Sequence, residues 1–169
     1  VQSEKIVPAI PERVERGNYT IVWDNFLKEK VRKLRHENLP KETGGVLIGY
    51  FDFSLKSIYV VDVSSPPPDS EAEIDGFKRG TSGLEEYIKQ AQQRSGDTVH
   101  YIGEWHSHPD NCTSSASVLD YFQLVHVAEN LAEDGYPAIM LIVGENEESW
   151  YVGQEINIPL KVTANEKRN

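Results

Sequence analysis

Two histidines, His106 and His108, stand in the run Glu-Trp-His-Ser-His-Pro. Asp120 follows, with Ser117 three positions before it. In an extended strand, residues i and i+2 point to the same side. His106 and His108 then aim two imidazoles at one point, while Ser107 faces away. A helix starting near Ser117 carries Asp120 about one turn along its length, where a carboxylate reaches the same point. Two nitrogens and one oxygen around a zinc ion leave a fourth position for water, which separates a catalytic site from a closed structural one. The spacing predicts metal-assisted hydrolysis with one zinc per chain.

Such hydrolysis needs more than ligands. Zinc lowers the pKa of bound water from ~16 to ~7. A carboxylate must then take the water's proton and return one to the leaving amine. A hydroxyl near the developing oxyanion adds electrostatic stabilisation, and Ser117 is spaced for that role. Two glutamates are candidates for the base. Glu104 shares strand parity with His106, whereas Glu42 opens an apolar run 64 residues upstream of it. Local spacing slightly favours Glu104. Cys112 is a further potential zinc ligand, but with His106, His108 and Asp120 already forming a set it reads as an incidental thiol.

The elements that must position these residues alternate between strand and helix patterns. Residues 19–23, Tyr-Thr-Ile-Val-Trp, read as a strand. Asp24 or Asn25 caps a helix whose apolar face is Phe26, Leu27, Val31 and Leu34. Residues 44–50 and 57–63 are further strands, with a turn over 51–56, and Pro66 to Pro68 make a loop. The segment 71–79 is ambiguous, with a strand as the reading. A second helix covers 83–94, and a strand over 99–106 leads into the histidines. A third helix spans 115–132, with Val118, Phe122, Val125 and Leu131 facing inward. Strands over 138–143 and 150–158 complete the order. The fold class is mixed α/β (α+β): a single domain with a central mixed β-sheet and about three flanking helices. Residues 1–18 read as a loose N-terminal arm, 19–162 as the domain and 163–169 as a tail. His36, His100 and His126 have no partner pattern, and Trp23, Trp105 and Trp150 read as packing residues.

Composition narrows the function classes. Hydrophobic residues make up 38% and charged residues 26%, a globular rather than a disordered balance. The formal net charge of −10 opposes sequence-independent nucleic-acid binding, because phosphates are repelled. No apolar stretch approaches the ~20 residues that cross a bilayer. One cysteine excludes an internal disulfide and suits a reducing cytosol, and the first ten residues lack a signal-peptide pattern. A cytoplasmic protein with no membrane partner is expected.

Glu42-Thr43-Gly44-Gly45-Val46-Leu47-Ile48-Gly49, then His106-Ser107-His108-Pro109, then Ser117-x-x-Asp120, resembles the JAMM (JAB/MPN+) metalloprotease family. The resemblance runs from about residue 20 to 152 and includes the order of elements. It implies an MPN/JAB-like domain with zinc held by His106, His108 and Asp120. It also implies Glu42 as the base and Ser117 as the oxyanion donor, which decides between the two glutamates. The stretch between His108 and Asp120 is one residue longer than the family's usual spacing, and Ala116 stands where many members have proline. The expectation is that the extra residue loops out around 111–114. Family members cleave the bond after the C-terminus of a ubiquitin or ubiquitin-like protein.

Gly103 to Pro109 and Phe77-Lys78-Arg79 are most similar to the prokaryotic branch. That branch implies a deconjugating peptidase of CBASS antiphage operons. Its partners would be an E1/E2-like ligase system and a nucleotidyltransferase (CD-NTase) bearing a conjugated or extended C-terminal tail. Two alternatives are a peptidase that trims a ubiquitin-like or sulfur-carrier precursor and a non-catalytic MPN scaffold.

Overall fold

A computed structural model describes residues 10–153. Its strands are β1 (Pro11–Arg16), β2 (Tyr19–Asp24), β3 (Gly44–Asp52), β4 (Ser57–Val63), β5 (Glu71–Ala72), β6 (Phe77–Lys78), β7 (His100–Ser107), β8 (Ala138–Val143) and β9 (Glu148–Gly153). The helices are α1 (Asn25–Asn38), α2 (Leu84–Arg94) and α3 (Val118–Ala132). Seven strands form one mixed sheet in the order β1-β2-β4-β3-β7-β8-β9, and β5 and β6 pair as a small separate hairpin. The mixed single sheet with three helices is the expected fold class.

The helices cover both faces of the sheet, because alternate residues of each strand point opposite ways. Ile139, Leu141 and Val143 of β8 pack with Leu27 and Val31 of α1. Ala138, Met140 and Ile142 pack on the other face with Leu124, Val127 and Leu131 of α3. On that same face, Ile48 and Tyr50 of β3 meet Tyr87, Ile88 and Ala91 of α2. Trp23, Trp105 and Trp150 are buried, and Trp23 meets Trp150 edge to face, so all three are packing residues.

Several expectations change. The arm is not loose over 11–16, because β1 runs antiparallel along the whole of β2. The segment 71–79 is a two-stranded hairpin. The face assigned to α3 is rotated: Val118 and Phe122 are 70% and 61% exposed, while Leu124, Val127 and Leu131 are buried. Only Leu131 of the expected set lies fully inward, with Val125 half-buried. In α1, Phe26 is exposed, and Arg35 occupies the buried stripe after Leu27 and Val31. The expected strand over 150–158 is observed as β9, and its last residues lie outside the described part, as do the tail and residues 1–9. No helix among the described residues is long and apolar enough to cross a membrane.

Candidate metal centre

The site forms where β7 ends and β3 and α3 begin. His106 lies at the C-terminal end of β7, His108 is the first residue past it, and Asp120 lies in the first turn of α3. β7 is held between β3 and β8, and the His108 N–H donates to the Val143 carbonyl at 3.0 Å. Ser107 faces away from the histidines and is fully buried. Its Oγ accepts from the Thr43 N–H at 3.0 Å, and its own N–H donates to the Thr43 carbonyl at 2.7 Å. This double strap ties the residue after Glu42 to the residue between the two histidines. A glutamate distant in sequence thereby joins the site by sheet register, with Gly44 opposite His106.

The glycines at this point are required by close approach. A Cβ on Gly44 would lie 2.3 Å from the Trp105 carbonyl oxygen, and one on Gly45 would lie 2.4 Å from Ser64 Oγ. Contacts that short do not occur between real atoms, so β3 can pack into this corner only without side chains there.

Asp120 reaches the histidines because it begins the buried stripe of α3, four residues before Leu124. Ser117 is the N-cap: its Oγ accepts from the Asp120 N–H at 3.2 Å, and the Asp120 carboxylate accepts from the Ser117 N–H at 2.6 Å. This reciprocal capping box fixes both residues before any ligand is considered. Between the histidines and this cap the chain turns at Asn111, which takes a left-handed φ of 64°.

The three side chains fit a metal. One ligand atom from each of His106, His108 and Asp120 lies within 4.8 Å of the others. His106 Nε2 is 3.1 Å and His108 Nε2 is 3.7 Å from the Asp120 carboxylate oxygens. Yet neither ring nitrogen of His106, which is buried, has a hydrogen-bond partner among the described residues. Two imidazole nitrogens and a carboxylate that converge this closely present three ligand atoms to one point. His108 Nδ1 contacts the Thr113 carbonyl at 2.6 Å, the backbone contact that orients a ligating imidazole and leaves Nε2 for the ion.

The electrostatics agree with proximity. The Asp120 carboxylate raises the His108 pKa above 6.5, against the opposing effect of burial. Burial alone would raise the Asp120 carboxyl, but His106, His108 and the Ser117 N–H hold it far below its ordinary value. Glu42 is 9% exposed. Burial pushes its carboxyl up, and the two histidines pull it partly back. A carboxylate moved toward neutrality is the better proton acceptor at neutral pH.

A ligating imidazole must be neutral, so protons compete with metal. Because the Asp120 carboxylate raises His108, affinity for a metal held there is expected to start falling at a higher pH than for an ordinary imidazole ligand. The loss should steepen on further acidification by roughly tenfold per pH unit for each proton displaced. Competition with a chromophoric chelator across this range measures it. The ion pair in the metal-free protein has the opposite sign: it stabilises below the unfolded imidazole value and is lost as pH rises through the raised one.

Glu104, the other candidate base, is occupied. Its Oε1 accepts from Arg79 Nη2 at 2.8 Å and from the Tyr101 hydroxyl at 3.1 Å, and its Oε2 accepts from Gln123 Nε2 at 2.6 Å. It ties β7 to α3 and to the segment after β6. Cys112 is exposed and lies outside the cluster. Sequence reasoning missed Arg35, whose Nε donates to the His108 carbonyl at 2.9 Å. A visible signal existed, since Arg35 continues the four-residue spacing of Leu27 and Val31 onto the core face.

The mixed sheet, with its strand-end histidines and a carboxylate on the following helix, is the fold of a JAB domain. The chain belongs to the prokaryotic homologs of the JAB domain, a family it matches over residues 25–153. It is 31% identical over 130 residues to a CD-NTase/cGAS isopeptidase of Enterobacter hormaechei subsp. hoffmannii (strain UCI 50), covering 77% of this chain and 70% of that one. A second CD-NTase/cGAS isopeptidase, from Escherichia coli (strain TW11681), is 27% identical over 122 residues, 71% of each chain. Among solved structures, a protein from Desulfitobacterium hafniense aligns at 18% identity with a TM-score of 0.48, covering 78% of this chain and 82% of that one.

Proposed function

We propose that the protein is a zinc-dependent isopeptidase that releases a conjugated CD-NTase, or another protein with a C-terminal tail, from an amine. The observation that carries this reading is the convergence of His106, His108 and Asp120 on one point with buried Glu42 beside them. The relatives named CD-NTase/cGAS isopeptidases supply the substrate class. The resemblance to the prokaryotic branch supports a role in antiphage defence alongside an E1/E2-like conjugating system. The single cysteine accords with a reducing, cytoplasmic setting.

His106, His108 and Asp120 would hold the metal. When bound, the metal supplies Lewis acidity that polarises the scissile carbonyl and acidifies the attacking water. Glu42 accepts the water's proton as the oxygen adds to the carbonyl carbon. It then delivers a proton to the departing nitrogen as the C–N bond breaks, so the products are a carboxylate and a free amine. The Ser117 Oγ accepts a hydrogen bond from the helix backbone, which leaves its own proton free to donate to the oxyanion.

The test is cleavage of a CD-NTase carrying a C-terminal extension, joined either linearly or through a lysine side chain. Cleavage is expected to stop when a chelator strips the metal and to return with one equivalent of zinc. A folded protein that takes up no divalent metal, or cleaves equally well in chelator, refutes the proposal. Cleavage of the linear but not the lysine-linked substrate would favour precursor trimming. Metal uptake with neither substrate cleaved would favour a scaffold.

A further inference from the structure

Arg35 is a buried cation, 7% exposed, on the core stripe of a helix that supplies no candidate ligand. Burying a guanidinium is costly unless charged or polar partners replace water. Its partners here lie at the metal centre: Nε donates to the His108 carbonyl at 2.9 Å, and Nη2 pairs with Asp110 Oδ1 at 2.6 Å. One planar fork therefore spans the backbone of a candidate ligand and the start of the loop leading to Asp120.

His108 is consequently gripped at three atoms. Val143 holds its N–H, Arg35 its carbonyl and Thr113 its Nδ1. The remainder of the loop is pinned to the β8–β9 turn and to β9. The N–H groups of Asn111 and Ser114 donate to Glu145 and Glu147 at 3.2 and 3.1 Å. The Tyr151 hydroxyl accepts from the Ala116 N–H at 2.9 Å and donates to the Ser114 carbonyl at 3.1 Å. Arg35 is the clamp on α1, across the loop from these anchors.

We infer that Arg35 is a positioning residue: it fixes the His108 backbone and the elongated loop so that His108 and Asp120 meet. Its effect on metal affinity rests on the reading of His106, His108 and Asp120 as a zinc site, whereas the bracing of the loop does not. Partners that orient ligands without touching the ion typically account for about 10- to 100-fold in metal affinity. Lysine cannot replace arginine fully, because one ammonium on a flexible stem does not reproduce the planar fork.

The experiment compares Arg35→Met, Arg35→Lys and Asp110→Ala with the full-length wild type, and uses Lys33→Ala as the control. Lys33 lies on the same helix but pairs with Glu37 on its exposed face, away from the loop and its anchors. Two measurements are made well below the melting temperature. The first is hydrogen exchange of the metal-free protein. Exchange at the Asn111, Ser114 and Ala116 amides should rise by about tenfold or more in Arg35→Met, with β8 amides unchanged. The second is zinc affinity by chelator competition, expected to weaken by about 10- to 100-fold in Arg35→Met and by less in Arg35→Lys.

Loop exchange unchanged in folded Arg35→Met overturns the inference, as does zinc affinity within about twofold of wild type. Should Arg35→Met fail to fold, Arg35→Lys and Asp110→Ala decide. Wild-type exchange in both overturns the bracing, and faster loop exchange in either supports it. If the wild type itself takes up no zinc, the proposed function fails, and hydrogen exchange still decides whether Arg35 braces the loop.

Discussion

Glu42→Gln is expected to lower the cleavage rate by about 10²- to 10⁴-fold, the contribution of a positioned general base, while leaving zinc uptake and melting temperature unchanged. Glutamine keeps the shape of the side chain and removes only its ability to take a proton. The backbone that positions Glu42 is independent of its carboxylate: its N–H donates to the Glu73 carbonyl at 2.8 Å, and Thr43 is strapped to Ser107. Glu104→Gln should behave differently. Both of its oxygens accept hydrogen bonds, and an amide nitrogen in place of either would face a donor. That variant should melt earlier, as buried mispaired groups cost about 1–3 kcal/mol. An active Glu42→Gln beside a well-folded but inactive Glu104→Gln would reverse the assignment of the base.

Asp120→Ala should abolish zinc retention at stoichiometric concentrations, with affinity falling by more than the ~100-fold upper range for residues that merely orient ligands. The carboxylate serves two structures at once. It faces His106 Nε2 at 3.1 Å, and it closes the capping box with the Ser117 N–H at 2.6 Å. The alanine variant should therefore also lose about 1 kcal/mol of stability from the helix start. Asp120→Asn separates the two roles, because an amide oxygen still accepts from Ser117 but carries no charge for a metal. Compared metal-free and at a pH where the histidines are neutral, asparagine should melt near wild type, and it should still fail to hold zinc. Metal analysis of the purified proteins and thermal melts together give the answer; one zinc per chain in Asp120→Ala would remove Asp120 from the ligand set.

Strands with a single strong signal were plain in the sequence. The runs over 57–63 and 138–143 are rich in apolar and β-branched residues, and both are observed with those bounds. β1 was hidden because Pro-Glu-Arg-Val-Glu-Arg offers one apolar residue. An edge strand needs little more, since one side of its backbone faces solvent and charges there discourage further pairing. The rotation of α3 has a sharper cause. Counting apolar residues chose Val118 and Phe122, yet the phase of this helix follows Asp120, the polar residue that begins the buried face. Strand parity found the histidine pair, and it also put forward Glu104. Only the pairing of β3 with β7 decides which glutamate is free, and no spacing within one segment encodes that pairing. Arg35 escaped notice because a charge in a helix usually reads as surface.

The strap between Thr43 and Ser107 has a consequence for how activity is lost. Glu42 stands just before β3 and the histidines at the end of neighbouring β7, so the Thr43–Ser107 bonds and the pitch of the sheet set their separation rather than a mobile segment. Pulling them apart requires opening the centre of the fold. Heating should therefore produce no long interval in which an intact but incompetent molecule accumulates: inactivation and global unfolding should share one cooperative transition.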